Sequence, residues 1–128
     1  MTIAPKKSAA AKVGFIGVGL MGSGMVNCLQ MAGHEIHLLV HKNRSPIEKA
    51  CKNGAIPYDN ISDLARNVEI IFLCLPSSEE VIEIAKKIST ASSKIALVID
   101  CTTNSPDSVV SINKIFLACF SNNEKRDL

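Results

Sequence analysis

Gly17, Val18, Gly19, Leu20, Met21 and Gly22 set three glycines in the arrangement G-x-G-x-x-G. Between a strand and a helix, each glycine in that pattern has a separate task. The first permits the tight turn, the second lets the backbone approach a pyrophosphate, and the third lets the helix pack closely on the strand. The unpaired amides and the dipole at the helix N-terminus then attract phosphates. A plain turn needs one or two glycines, not three at fixed offsets with Gly14 and Gly24 alongside. A P-loop is excluded, because no Gly-Lys-Ser/Thr follows.

The residues after the next strand choose between two dinucleotides. An acidic residue there holds the ribose 2′-hydroxyl of NAD, whereas cations suit the 2′-phosphate of NADP. This chain has Val40, His41, Lys42, Asn43 and Arg44, and no acid before Glu48. The pattern predicts NADP(H) as cofactor, with NAD less favoured. Lys42 and Arg44 can also be read as solvated loop charges. Which of His41, Lys42 and Arg44 is the main phosphate ligand stays open.

These residues require particular elements around them. Lys12 to Gly17 reads as a short apolar strand running into the glycines. Met21, Met25, Cys28, Leu29 and Ala32 follow at helical spacing, and Gly33 ends that helix. Glu35 to Val40 is a second strand. Ser45, Pro46 and Glu48 open the next helix as a capping box, and Gly54 stops it. Ala55 to Pro57 supplies a short strand, and Ile61 to Arg66 a short helix that Asn60 or Ser62 can cap. Val68 to Leu75 is apolar nearly throughout, which predicts a strand buried on both faces of a parallel sheet. Pro76 ends it, and Ser77 with Glu80 opens a helix to about Ser89. Ile95 to Asp100 is a fifth strand, and Ser105 and Pro106 begin a last helix. Alternating strands and helices predict an α/β fold, a Rossmann-type doubly wound parallel sheet. In such sheets ligands sit at the carboxyl ends of the strands.

Composition fits one domain: 128 residues, 47% hydrophobic and 20% charged. Residues 1–11 read as a lead-in, 12–115 as the dinucleotide-binding domain, and 116–128 as an atypical tail. The net charge of +2 is small and scattered, so no nucleic-acid partner is expected. No apolar run approaches the length of a membrane span, and the lead-in has no signal-peptide core. Five cysteines without a C-x-x-C pair argue against a zinc site and against a disulfide framework. Cys28, Cys74 and Cys101 lie in apolar patterns and are expected as small buried hydrophobes. A reducing compartment, the cytoplasm, is expected.

The stretch Val13-Gly14-Phe15-Ile16-Gly17-Val18-Gly19-Leu20-Met21-Gly22, with Met25 and Asn27, resembles the opening signature of the β-hydroxyacid dehydrogenases. That family includes the 3-hydroxyisobutyrate and 6-phosphogluconate dehydrogenases. Gly33-His34, Asn43-Arg44-Ser45, Leu73-Cys74-Leu75-Pro76 and Asp100-Cys101-Thr102-Thr103 resemble its later landmarks in the same order, over about residues 12–112. The resemblance implies that Asn43, Arg44 and Ser45 cradle the 2′-phosphate. It implies that Leu75 and Pro76 line the nicotinamide side, and that Thr103 contacts the nicotinamide ribose or carboxamide. Glu79 and Glu80 stand where some members place an asparagine.

Members of that family continue into a helical domain carrying a catalytic lysine and a nearby asparagine. No such segment follows here, so the chain is expected to be catalytically incomplete, and none of Lys86, Lys87, Lys94 and Lys114 is nominated as catalytic. Phe116 to Leu128 departs from the family, as a truncated or frameshifted product would. Three functions follow as expectations. The first is the NADP(H)-binding part of an oxidoreductase acting on a small β-hydroxyacid, once the missing domain is present. The second is a dinucleotide-binding module or sensor without turnover. The third, less favoured, is a Rossmann domain for FAD or S-adenosylmethionine. An apolar patch including Phe116, Leu117 and Phe120 is expected where another domain would pack, with self-association as one consequence.

Overall fold

Apolar residues at successive positions suit a strand only where both of its faces are covered, and two such strands form the centre of this molecule. The computed structural model describes residues 10–17, 20–40, 45–91, 94–102 and 105–126. The elements run β1 (Lys12–Ile16), α1 (Leu20–Met31), β2 (Glu35–Leu39), α2 (Ser45–Lys52), β3 (Ile56–Tyr58), α3 (Ile61–Arg66), β4 (Ile70–Leu73), α4 (Ser78–Thr90), β5 (Leu97–Asp100) and α5 (Pro106–Arg126). The five strands form one parallel sheet in the order β3-β2-β1-β4-β5. The chain thus winds outward from β1 in one direction, then crosses back and winds outward in the other. The crevice between the carboxyl ends of β1 and β4 is where such a sheet accepts a ligand.

Two cores result. On one face Val13 and Phe15 of β1 and Ile36 and Leu38 of β2 pack against Val26 of α1 and Ile47 and Ala50 of α2. On the other, Ile16, Ile71 and Leu73 meet Leu64 of α3, Val81, Ala85 and Ile88 of α4, and Ile112 and Phe116 of α5. Phe15 and Phe72, paired across β1 and β4, stack with ring centroids 5.7 Å apart. Such a stack contributes about 0.5–1.5 kcal/mol beyond the area it buries.

Local signals set the boundaries. The Asn60 side chain accepts from the Asp63 amide at 2.9 Å and caps α3. Ser77 caps α4 by accepting from the Glu80 amide at 3.4 Å. Gly33 and Gly54, at φ of 91° and 99°, follow the ends of α1 and α2. The strands are shorter than the apolar runs that contain them: Val68 and Ile95 are buried core residues outside β4 and β5.

Two expectations about burial fail. Cys28 and Cys101 are exposed and Cys74 is half-buried. The described helices on their face, α1 and α2, lie over β1, β2 and β3, so Leu97 of β5 remains 48% exposed. A hollow of about 490 Å³ there is lined by Gly24, Met25, Cys28, Leu29 and Phe72. Phe116 also departs from expectation: it is buried against α4, while Leu117 points outward at 64% exposure. The Phe120 side chain lies outside the described residues.

His37 is the one buried polar residue of the described core, 3% exposed. Its Nδ1 lies 2.8 Å from the Tyr58 hydroxyl and its Nε2 2.8 Å from the Glu35 carboxylate. A neutral ring satisfies both contacts when Nε2–H donates to Glu35 and the tyrosine hydroxyl donates to Nδ1. A phenolate could not donate. Burial, then the Glu35 and Asp63 carboxylates, push the Tyr58 hydroxyl above its ordinary value of 10.0. Because the folded state holds this proton more tightly, the associated stability is present below pH 10.0 and is lost as pH rises through the raised value. Tyr58 is the sole tyrosine, so tyrosinate absorbance reads it directly. The titration midpoint of the folded chain is expected above that of the urea-unfolded chain, and Glu35→Gln narrows the gap.

Candidate functional site

β1 ends at Ile16, whose carbonyl accepts from the Cys74 amide at 3.0 Å, so the ends of β1 and β4 are held side by side. Gly17 follows at φ +98°, and a Cβ placed on it would lie 2.1 Å from the Cys74 carbonyl oxygen. The turn therefore passes against β4 with no room for a side chain. A Cβ on Gly22 would lie 2.8 Å from the Gly17 carbonyl oxygen and 3.1 Å from the Phe15 ring. The first turn of α1 is seated directly on the end of β1. These are the close approaches expected of the first and third glycines of the motif.

Leu20 and Met21 are the first residues of α1, which has no acidic residue in its first turn. The free amides and the positive end of the helix dipole are thus uncompensated by any carboxylate of that turn. An anion placed before Leu20 meets donors and no local repulsion. Ser45 is the first residue of α2. Val18, Gly19, His41, Lys42, Asn43, Arg44 and Thr103 lie outside the described residues.

Leu75 and Pro76 follow β4 on the same edge as Gly17. The Leu75 amide donates to Thr102 Oγ1 at 2.9 Å, and the Thr102 amide donates to the Asp100 carboxylate at 2.9 Å. With the Cys101 amide donating to the Leu73 carbonyl at 2.7 Å, these bonds tie the segment after β5 to the segment after β4. Thr102 is therefore a positioning residue for Leu75. The sequence reading had singled out its neighbour, Thr103.

A cleft of about 700 Å³ opens at this edge. Ile16 and Gly17 form part of its wall with Leu39 and Val40 after β2, Leu75 after β4, Asn60 and Ile61 at the start of α3, and Ile84 of α4. Its volume lies within the range of about 300–1,000 Å³ that suits a small-molecule ligand. Asp59, Glu80 and Glu83 also line it, with Lys87 held 3.8 Å from Glu83. The apolar residues can sandwich a planar ring, while the carboxylates favour hydrogen-bond donors over phosphate. The sequence reading did not place Leu39, Asn60, Ile84 and the lining acids in a cleft. They come from separate elements, and only the assembled strand order brings them together.

Among the described residues the site thus has two parts: the glycine turn with the start of α1, and a mixed cleft beside it. Gly17, Gly22, Leu75 and Pro76 are gathered at one sheet edge.

Residues 12–118 match the family described as the NAD binding domain of 6-phosphogluconate dehydrogenase. The chain is 31% identical to the mitochondrial 3-hydroxyisobutyrate dehydrogenase of Drosophila melanogaster over 110 residues, 84% of this chain and 33% of that protein. It thus spans about a third of the length of that relative. Among solved structures, a Mycobacterium tuberculosis 3-hydroxyisobutyrate dehydrogenase with L-serine shares the fold at a TM-score of 0.73 and 21% identity, over 88% of this chain and 37% of that one. The imine reductase from Myxococcus stipitatus, in complex with NADP+, aligns with a TM-score of 0.75 and 17% identity over 84% of this chain and 37% of its own.

Proposed function

Because the chain belongs to the family of the NAD binding domain of 6-phosphogluconate dehydrogenase, and so to the nicotinamide-dinucleotide binders, we propose that its cofactor is NADP(H). We propose further that it supplies the hydride-carrying half of an oxidoreductase acting on a small β-hydroxyacid. The observation that carries this reading is the Gly17 turn, which seats the start of α1 against β1 and β4 beside a cleft of ring-binding size.

In this reading the pyrophosphate lies against the amides at the start of α1. The adenosine extends into the cleft between Leu39, Val40 and Ile84, where a purine amine can donate to the lining carboxylates. The 2′-phosphate then falls beside the segment Lys42-Asn43-Arg44-Ser45. The nicotinamide lies along Leu75 and Pro76, with Thr103 at its ribose. A bound nicotinamide supplies hydride transfer; the chain's own residues bind, orient and exclude water. Val18, Gly19, Leu20 and Met21 complete the turn around the phosphates. The imine reductase solved with NADP+, and a variant of it solved with NAD+, show that this fold accommodates either dinucleotide. The cations after β2 are the support for NADP(H) here.

Titration of the purified chain with NADPH, NADH and FAD, followed by fluorescence or calorimetry, tests the proposal. NADPH is expected to bind at least about tenfold more tightly than NADH, a difference of about 1.4 kcal/mol, and FAD is expected not to compete. Equal affinity for NADPH and NADH overturns the cofactor preference. Binding of neither overturns the whole reading. Tight NADPH binding, with neither oxidation of any short β-hydroxyacid when NADP+ is supplied nor reduction of the matching semialdehyde by NADPH, supports a module that needs further residues for turnover. A cytoplasmic location is proposed from the cysteines, since all four described thiols are free; cell fractionation checks it.

A further inference from the structure

Cys74 and Cys101 occupy equivalent places just past the ends of neighbouring parallel strands. The register pairs Leu73 with Asp100, so Cys74 stands beside Cys101. The Cys101 amide donates to the Leu73 carbonyl, which completes that last pair, and just beyond it the Leu75 amide donates to the Thr102 side chain at Oγ1, so the two segments stay side by side. Adjacent strands run about 4.7–4.9 Å apart, within the Cα separation of about 4.4–6.8 Å that a disulfide spans. Strand alternation sends both side chains to one face. Cys74 packs against the cluster of Phe15 and Val26, whereas Leu73, one residue earlier and paired with Asp100, faces the opposite core. Among the described residues no helix shields the pair: Cys101 is exposed and Cys74 half-buried.

We propose that Cys74 and Cys101 are a redox pair that closes into a reversible disulfide across the β4–β5 edge and thereby weakens dinucleotide binding. The oxidant is a small disulfide such as oxidised glutathione. The Cys101 thiolate, the more accessible, attacks one sulfur of that disulfide, and the first glutathione leaves as a thiolate. The Cys74 thiolate then attacks the mixed disulfide at Cys101 and expels the second. The protein gives up two electrons, its two thiol protons end on two glutathione thiols, and one S–S bond replaces another.

Partial burial, the neighbouring Cys74 and the Asp100 carboxylate push the Cys101 thiol up. With its thiolate disfavoured, the reduced Cys101 is not held back from the disulfide by a stabilised thiolate. The bridge would fix the spacing of the two segments that carry Leu75 and Thr102. This regulatory consequence rests on the proposed placement of nicotinamide along Leu75 and Pro76; the bridge itself does not.

Two measurements on the full chain separate the two claims. After incubation of the reduced protein with oxidised glutathione, tryptic digestion without reductant yields residues 67–86, whose sole cysteine is Cys74, and residues 95–114, whose sole cysteine is Cys101. A species joining these two peptides, abolished by dithiothreitol and missing from Cys101→Ser, is expected. Recovery of both as free thiols, or as glutathione adducts only, overturns the pair. NADPH affinity is then compared before oxidation, after it and after re-reduction. The expected result is a reversible loss of about tenfold, the effect of disturbing one or two polar contacts, absent in Cys74→Ser and Cys101→Ser. A bridge formed with NADPH affinity unchanged overturns the regulatory claim. A reduced chain that fails to bind NADPH overturns the cofactor reading, and the peptide map still decides the bridge.

Discussion

Gly17→Ala is expected to lower the unfolding free energy by about 4 kcal/mol and to abolish detectable dinucleotide binding. Two costs add. An alanine held near φ +98° occupies backbone space that L-residues rarely adopt, at about 1–3 kcal/mol. Its Cβ would also overlap the Cys74 carbonyl oxygen at 2.1 Å, and relief of such overpacking costs about 1–3 kcal/mol. The obstacle is backbone, not the end of a flexible side chain. Relief therefore means parting β1 from β4 or re-aiming the turn, and either displaces the amides proposed to face the pyrophosphate. Gly24→Ala is the control. Gly24 lies within α1 with nothing within 4 Å of its would-be Cβ, so alanine is expected to raise stability by about 0.5–1 kcal/mol. Urea titration of both variants, with NADPH binding measured alongside, tests the pair. A Gly17→Ala protein with an unchanged midpoint would show that the turn has room it is not expected to have.

What was legible in the sequence follows from which interactions are local. The capping of α3 by Asn60 and of α4 by Ser77 depends on atoms three residues apart, and both caps form as read. The expected burial of β4 on both faces holds for one face only, because Ile71 and Leu73 are buried while Ile70 and Phe72 on the other face are half-buried. Ile71 and Leu73 face one core and Phe72 meets the other. The strand ends were less legible, since Val68 and Ile95 are as apolar as the strands beside them but are buried by packing instead of pairing. Exposure at Cys28 and Cys101 was not legible at all. An apolar pattern states what a residue can pack against, not whether a partner covers it, and α1 and α2 leave the β4–β5 half of their face open. The candidate site divides in the same way. Its glycine turn is continuous in sequence and announces itself. The cleft is assembled from residues of six elements and their loops, and Thr102 reaches Leu75 only because β4 and β5 are neighbours.

Arg44→Ala is expected to weaken NADPH binding by about 10- to 150-fold while leaving NADH affinity within about twofold, because a charge-assisted hydrogen bond to phosphate contributes about 1.5–3 kcal/mol. The sign follows from where the missing charge acts. The two cofactors differ only at the 2′ position, so a residue that contacts that phosphate changes one affinity and not the other. In the proposed placement the pyrophosphate, common to both, is met by the amides at the start of α1 and is untouched. Lys42→Ala tests the same phosphate through a point charge, and the larger of the two losses identifies the main ligand. The acids of the cleft sharpen the expectation. Asp59, Glu80 and Glu83 line the same cleft as Leu39 and Val40, so a 2′-phosphate beside that cleft without its cations would be repelled from it. NADPH should then lose more in the Lys42→Ala/Arg44→Ala double variant than in either single variant, while NADH stays within about twofold. Salt separates the alternatives: raising ionic strength should erode the NADPH preference of the wild-type chain and, by screening the carboxylates, partly relieve the disfavour of NADPH in the double variant. Equal losses for NADPH and NADH in Arg44→Ala would instead assign Arg44 to the shared part of the cofactor, and the selectivity would then have to come from elsewhere in the segment after β2.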